Sequence, residues 1–395
     1  MRFDWFFLVL PLVWASPLLN SSDVSAGPPT TEEKATSTRW IFTVKEDFQS
    51  DDVLNSILSV FRIGRSSVIH KYDMPGYQGF AIKIPSLLGN IISPDLFLPP
   101  EGVKAIELDS VANISAITTQ NNAPYGLARL STRANATGTS YNYDSTAGAG
   151  AFAYVLDTVR NPDAYCRAIL GASFPSSQVN SDGNGHGTHV AGIVGGATYG
   201  VAKNSTLIAV KVLSNSGSGY LSDIIAGIEW AVNNATASKR IGKSVMNLSL
   251  GSSKSQVVND ATSAAFVAVA AGNNGADAAF TSPASEPLAC TVGAIDSKNA
   301  AASFSNYGTS LDIWAPGVSI QSTWIGSNSA TLTLSGTSMA SPHIAGLAAA
   351  LYGLGLGGLG GEMCDLIQSL ATKDIISPAP RGGSVNYVAY NGVGA

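Results

Sequence analysis

Ser338 stands in the stretch LSGTSMASPHIAGLAAALYG, residues 334–353, between a Gly-Thr pair and a run of small residues that opens a helix. A hydroxyl there either caps the helix or serves as a nucleophile beside the N–H groups of a helix start, which can hold an anion. The second use requires a base and an acid to orient it. Of the four histidines, His70 belongs to a separate amino-terminal segment, and His343 follows Ser338 on the same helix and does not readily fold back onto it. That leaves SDGNGHGTHVAGIVGG, where glycines flank His186 and a helical pattern begins just after it. One of His186 and His189 is expected to face a site while the other packs under the helix. Their H-x-x-H spacing lacks the glutamate of a metalloprotease motif, so no catalytic metal is expected. Asp157 ends the apolar run of AYVLDT, an expensive place for a charge without a partner; a helix N-cap is the structural alternative. VAVAAGNNGADA ends another apolar run in Gly272 and Asn273, whose amide either closes a turn or donates to an oxyanion.

These residues need a frame that brings four distant segments to one place. Short apolar runs, FAYVL, LIAVKVL, VMNLSL, FVAVAA and CTVGAI, alternate with helical patterns such as LSDIIAGIEWAV. Strands buried on both faces and separated by helices imply an α/β fold, a doubly wound and mostly parallel sheet. Such sheets present ligands at the carboxyl ends of their strands, where Asp157, His186, Asn273 and Ser338 would share one rim. Ahead of this region, Trp40 to about Ala116 reads as a small α+β unit, with strands in WIFTV, GFAIKIP and VKAIEL and an amphipathic helix in DDVLNSILSVF.

The chain has 395 residues, 45% hydrophobic and 12% charged, with a net charge of −5, so it can bury a large core and shows no basic footprint for nucleic acid. MRFDWFFLVLPLVWAS reads as a signal peptide over residues 1–15, cut near Ala15, with an apolar run shorter than a membrane span. The expectation is a secreted, extracellular protein that does not engage a membrane. Three cysteines, Cys166, Cys290 and Cys364, fit an exported chain with one disulfide and one thiol left over. Asn-x-Ser/Thr acceptors begin at Asn20, Asn113, Asn135, Asn204, Asn234 and Asn247, the last discounted because it lies in a strand pattern.

The order Asp, His, Ser is one that convergent catalytic triads adopt, and here the chain resembles the subtilisin-like serine proteases, in their proteinase K branch. The matching stretches include YVLDT, DGNGHGTHVAG, YGVAKNSTLIAVKVL, AVAAGNN, LDIWAPG and SGTSMASPHIAGLAA, and cover most of residues 118–350. The resemblance implies a secreted serine endopeptidase of broad specificity. Ser338 would be the nucleophile, His186 the base, Asp157 its orienting acid and Asn273 the oxyanion donor. Gly217, Ser218 and Gly219, with Ser249, Leu250 and Gly251, would bind a protein or peptide substrate as an added strand. It further implies a zymogen: a propeptide over 16–117, with an inhibitor-like domain from about 38, that blocks its own enzyme until cleaved between Ile117 and Thr118. The catalytic domain would then be 118–395, a monomer. Structural calcium would be held by Pro287, Ala289 and Asp312, and Cys290 would pair with Cys364. The branch's other bridge has Phe152 and Arg240 at its two positions.

Two departures from the family pattern stand out. Val159 replaces a glycine after Asp157, implying backbone strain if that position takes a positive φ. The segment from Asp260 to Gly272 has no Gly, Pro or Asn to turn on between those two residues, so its helix must end early or the strand leading to Asn273 must shift. They define the alternative, a catalytically inactive secreted member of the fold that acts as a binding protein. The absence of G-x-S-x-G argues against a lipase or esterase.

Overall fold

The structure is a computed structural model and describes residues 37–85, 99–109, 117–133, 138–159, 168–175, 181–263, 265–357 and 361–393. The signal segment 1–15, Cys166, and the acceptors Asn20, Asn113 and Asn135 lie outside the described residues. The chain divides into two units, one ending at Ala112 and the other beginning at Asn113.

The first unit builds a four-stranded sheet from β1 (Ser37–Val44), β2 (Val68–Met74), β3 (Tyr77–Pro85) and β4 (Val103–Leu108), in the order β2-β3-β1-β4. Its helix α1 (Ser50–Val60) buries Val53, Leu54, Ile57 and Leu58, an i, i+1, i+4, i+5 stripe, against Phe42, Phe80 and Ile82. Strand β2 lies beyond the three expected strands. Its residues are half-buried or exposed, so it carries little apolar signal.

The second unit opens with β5 (Ile117–Gln120), α2 (Tyr125–Leu130) and β6 (Tyr141–Asp144). Its main sheet then takes β7 (Phe152–Asp157), β8 (Ala168–Ser173), β9 (Thr206–Lys211), β10 (Ser244–Leu248), β12 (Val267–Ala270), β14 (Cys290–Ile295), β15 (Ile313–Pro316), β18 (Thr372–Lys373) and β19 (Tyr387–Val388). Strand order is β18-β19-β15-β14-β12-β10-β7-β9-β8, and every pairing except β18 with β19 is parallel. Helices cover both faces, which is why the central strands read as nearly unbroken apolar runs. Ala153 and Val155 of β7 point to one side, into a core with Val190, Ile193 and Val194 of α3 (His186–Gly195) and Ile344 and Leu347 of α6 (Thr337–Gly353). Tyr154 and Leu156 point to the other, against Ile224, Ile228 and Ala231 of α4 (Leu221–Ala237). From β7 the chain runs outward to β8 and β9, and from β10 it runs the opposite way to β12. A crevice therefore opens at the carboxyl ends of β7 and β10, the switch point of such sheets.

The remaining elements are short: β11 (Ser252–Ser253), α5 (Gln256–Thr262), β13 (Thr281–Ser282), the hairpin of β16 (Ile320–Thr323) and β17 (Thr331–Leu334), and α7 (Gly361–Leu370). Helix α5 ends at Thr262 and β12 keeps its parallel register with β10 and β14. The missing turn residues are thus absorbed by the helix, and the strand leading to Asn273 stays in place. Val159 does not adopt a positive φ, so the expected strain is absent. Instead Val159 is buried, and a Cβ on Gly187 would come within 2.4 Å of its backbone nitrogen, which fixes glycine at 187.

Candidate active site

Asp157 is the last residue of β7 and is fully buried. Its carboxylate accepts from the Thr158 N–H at 2.6 Å and faces the Nδ1 of His186 with both oxygens, at 2.8 and 3.0 Å. The N-cap alternative is thereby excluded, because this carboxylate is spent on an imidazole. His186 is the first residue of α3, reached through Gly185 at φ 99°. Burial pulls its pKa down, but the Asp157 charge, its hydrogen bond and the Asp182 charge outweigh that, and the net shift is upward from 6.5.

The loop before α3 is held by residues absent from the sequence-based set. The Asp182 carboxylate accepts from the N–H groups of Asn184, Gly185 and Thr188 and from the Thr188 hydroxyl, at 2.6–3.0 Å. It satisfies donors that a helix start leaves open. Asn184 Oδ1 accepts from the His186 N–H, and Thr158 Oγ1 from the Gly187 N–H. The one cue to Asp182 in the sequence is an acidic residue a few positions ahead of a helical run.

His189 is fully buried beneath that helix, where its Nε2 lies 3.1 Å from the Ile320 carbonyl and 3.0 Å from that of Leu332. Two acceptors require a proton on Nε2, so the ring ties α3 to the β16–β17 hairpin. Burial pushes its pKa down to about 4. His343, on α6, is likewise buried and pushed down to about 4, with Nδ1 donating to the Met339 carbonyl.

Ser338 is the second residue of α6. Its hydroxyl donates to the Ser249 carbonyl at 3.2 Å. Its N–H is among the helix-start groups without an intrahelical acceptor. The Asn273 Oδ1 accepts from both the N–H and the hydroxyl of Thr337, at 2.8 and 2.9 Å. That fixes the amide so that its NH2 is the group left to donate beside Ser338. Beneath them, buried Asn247 donates to Ser249 Oγ and accepts from Ser341 Oγ, while Ser249 Oγ donates to the Ser338 carbonyl. This network pins the start of α6 to the end of β10. The Asn247 amide is spent on these bonds and buried, so the folded chain does not present it at the surface.

A cleft of about 390 Å³ runs along this rim. Gly217, Ser218, Gly219, Ser249, Leu250 and Gly251 line it together with His186, and Leu213, Leu221 and Ile224 give it an apolar side. Ser249 joins the two halves, since it lines the cleft beside His186 and its carbonyl receives the Ser338 hydroxyl. Away from the cleft, Cys290 is bonded to Cys364, and their sulfurs lie within 4.8 Å of an Asp312 oxygen. Asp312 Oδ2 accepts from the Thr291 N–H, and burial pushes its pKa up to about 6.

A parallel sheet whose carboxyl rim carries, in chain order, an aspartate bonded to a histidine, then an asparagine and a serine at a helix start, is the frame of a class of hydrolase. The chain belongs to the subtilase family, which its residues 101–366 match, and it is a subtilisin-like serine protease. It is 43% identical over 99% of both chains to the subtilisin-like serine protease AsES of Sarocladium strictum. It is 40% identical to the cuticle-degrading protease of Metarhizium anisopliae, over 99% of this chain and 100% of that one. The alkaline serine protease ver112 of Corniculantispora psalliotae is 50% identical over 73% of this chain and 76% of its own length. Among solved structures, a cold adapted subtilisin-like serine proteinase, 41% identical, superposes with a TM-score of 0.63, covering 69% of this chain and 99% of that one.

Proposed function

We propose that this chain is a secreted endopeptidase that works through an acyl-enzyme on Ser338. The observation that carries this reading is the His186 ring held by both oxygens of a buried carboxylate, on the same cleft as Ser249, which holds the Ser338 hydroxyl. His186 takes the Ser338 proton as the hydroxyl attacks the scissile carbonyl, then returns it to the leaving amine; Asp157 keeps the ring oriented and stabilises its cation. The tetrahedral oxyanion is received by the Asn273 amide and the Ser338 N–H. Substrate lies extended between residues 217–219 and 249–251, adding a strand to each edge. The apolar lining of the cleft supports broad acceptance of apolar side chains.

The same reading makes the unit up to Ile117 a propeptide, released by the enzyme itself between Ile117 and Thr118, and the mature protein a monomer. The reading also assigns structural calcium to the carbonyls of Pro287 and Ala289 and the carboxylate of Asp312, whose hard oxygen donors suit the ion, while the sulfurs beside Asp312 are committed to a disulfide. Bound there, the ion would have no part in the chemical step. It would stabilise the folded chain by mass action, so chelation is expected to lower the melting temperature by about 5 °C or more while leaving the initial rate unchanged.

A second reading, an inactive binding protein, draws on the Ser338 hydroxyl pointing to Ser249 instead of His186. Hydroxyl rotamers exchange in picoseconds to nanoseconds, so this orientation does not separate the two readings. A phosphonylating reagent does. Under the hydrolytic reading the intact protein gains one adduct, mapped by mass spectrometry to Ser338, and loses peptide hydrolysis in step. A folded protein that takes up no adduct and cleaves no peptide is the binding protein.

A further inference from the structure

Lys211 is the last residue of β9, paired in register with Asp157, and is only 1% exposed. Its Nζ donates to the Thr158 carbonyl at 2.9 Å and to Asn215 Oδ1 at 3.1 Å. Each acceptor belongs to a different half of the triad's support. Thr158 gives its N–H to Asp157 and takes the Gly187 N–H on its hydroxyl. Asn215 takes the Gly183 N–H on the same Oδ1, and its carbonyl receives the Asn184 amide, whose Oδ1 in turn holds the His186 N–H. The ammonium thus joins the turn after the aspartate to the loop before the histidine.

A buried cation is a poor device for stability alone, because an apolar side chain of the same length is often as good or better. We infer that Lys211 is a positioning residue for the triad, which ties the Asp157 turn to the His186 loop and offsets the negative field of Asp157 and Asp182 at the imidazole. It does not touch substrate. Among the described residues, Asp157 from β7 and Asp182 from the loop before α3 act directly on His186, Lys211 from β9 acts on those two carboxylates, and His189 lies on the same helix with His343 of α6 beyond it. The hairpin presents uncharged Thr323 and Trp324 to the start of that helix. Burial lowers the Lys211 pKa, and the Asp182 and Asp157 charges oppose that, which places the ammonium within reach of both carboxylates.

The inference rests on the triad reading, and its test separates the two. With protein expressed as the full-length chain and allowed to process itself, kcat and kcat/KM for a peptide substrate are measured against pH for wild type, Lys211→Met and Lys211→Arg, normalised to active sites, with Ser338→Ala assayed at equal protein concentration. Removing the cation leaves both carboxylates uncompensated, so Lys211→Met is expected to raise the acid-limb pKa by roughly half a unit to one unit. Its kcat should fall roughly 10- to 100-fold with little change in KM. Lys211→Arg keeps the limb near its wild-type position. An acid limb that stays put in Lys211→Met, or a loss confined to KM, overturns the inference, as does a chain that folds with arginine but not methionine. Asp182→Asn removes the opposing charge and should lower the limb, which decides the matter should neither Lys211 variant fold; an unmoved limb there also overturns it. Should Ser338→Ala remain active, the triad reading itself has failed. If it is inert and the limbs do not move, only the role of Lys211 falls.

Discussion

Asn273 presents a single amide NH2 because Thr337 occupies its oxygen twice. In subtilisin itself, a relative in this family, loss of the side-chain oxyanion donor lowers kcat roughly 100- to 1000-fold. Asn273→Leu is expected to fall in the same range with KM nearly unchanged, read from steady-state kinetics on a chromogenic peptide; a loss under about threefold would remove this amide from the oxyanion site. The residues assigned to the chemistry stood out in the sequence because reactive groups at strand ends and helix starts are costly without a use. Their supports were not. Asp182, Thr158, Asn184 and Lys211 are ordinary polar residues in loops or at strand ends, and only the fold reveals that the first three spend hydrogen bonds on Asp157 or on the start of α3, while Lys211 holds Thr158 and Asn215 behind them.

Elements were read best where burial was complete. Strands β7, β9, β10, β12 and β14 follow their apolar runs, whereas β2, partly wet on both faces, gave no such signal. The two departures that cast doubt on activity proved local, since α5 stops at Thr262 and Val159 packs against Gly187. Where the branch has a second disulfide, Arg240 lies over the Phe152 ring at 4.3 Å, and it donates to the Tyr154 hydroxyl and to Asn234 Oδ1. This clamp links the end of α4 to β7 without a covalent bond. Arg240→Ala should lower unfolding free energy by about 1–2 kcal/mol, with kcat retained, as measured by urea denaturation alongside kinetics. Unchanged stability would show that the ring and guanidinium contribute nothing there.

At the scale of the whole molecule, acid is the expected weakness. His189 and His343 are held neutral down to about pH 4, while in the unfolded chain each takes a proton near 6.5. The unfolded state therefore binds more protons in that window, and stability present above pH 6.5 drains as pH falls toward 4, by up to roughly 3 kcal/mol per histidine. His186 has the opposite sign, since its raised pKa adds stability below 6.5 that is lost as pH rises. Asp312, its pKa raised to about 6, works against the two buried histidines, because the folded chain holds a proton there that the unfolded chain releases above about pH 4. Urea midpoints taken from pH 7 to 4 should therefore fall with a net slope approaching one proton. A flat profile would mean that the buried rings charge without penalty.

If Ser338, His186 and Asp157 form a working triad, the chain uses them first on itself. The direct measurement is the amino terminus and intact mass of the secreted product from the full-length chain and from Ser338→Ala. The wild-type product should begin at Thr118, and the mutant should keep the segment before it. A folded wild type that stays as long as the mutant would contradict the triad reading.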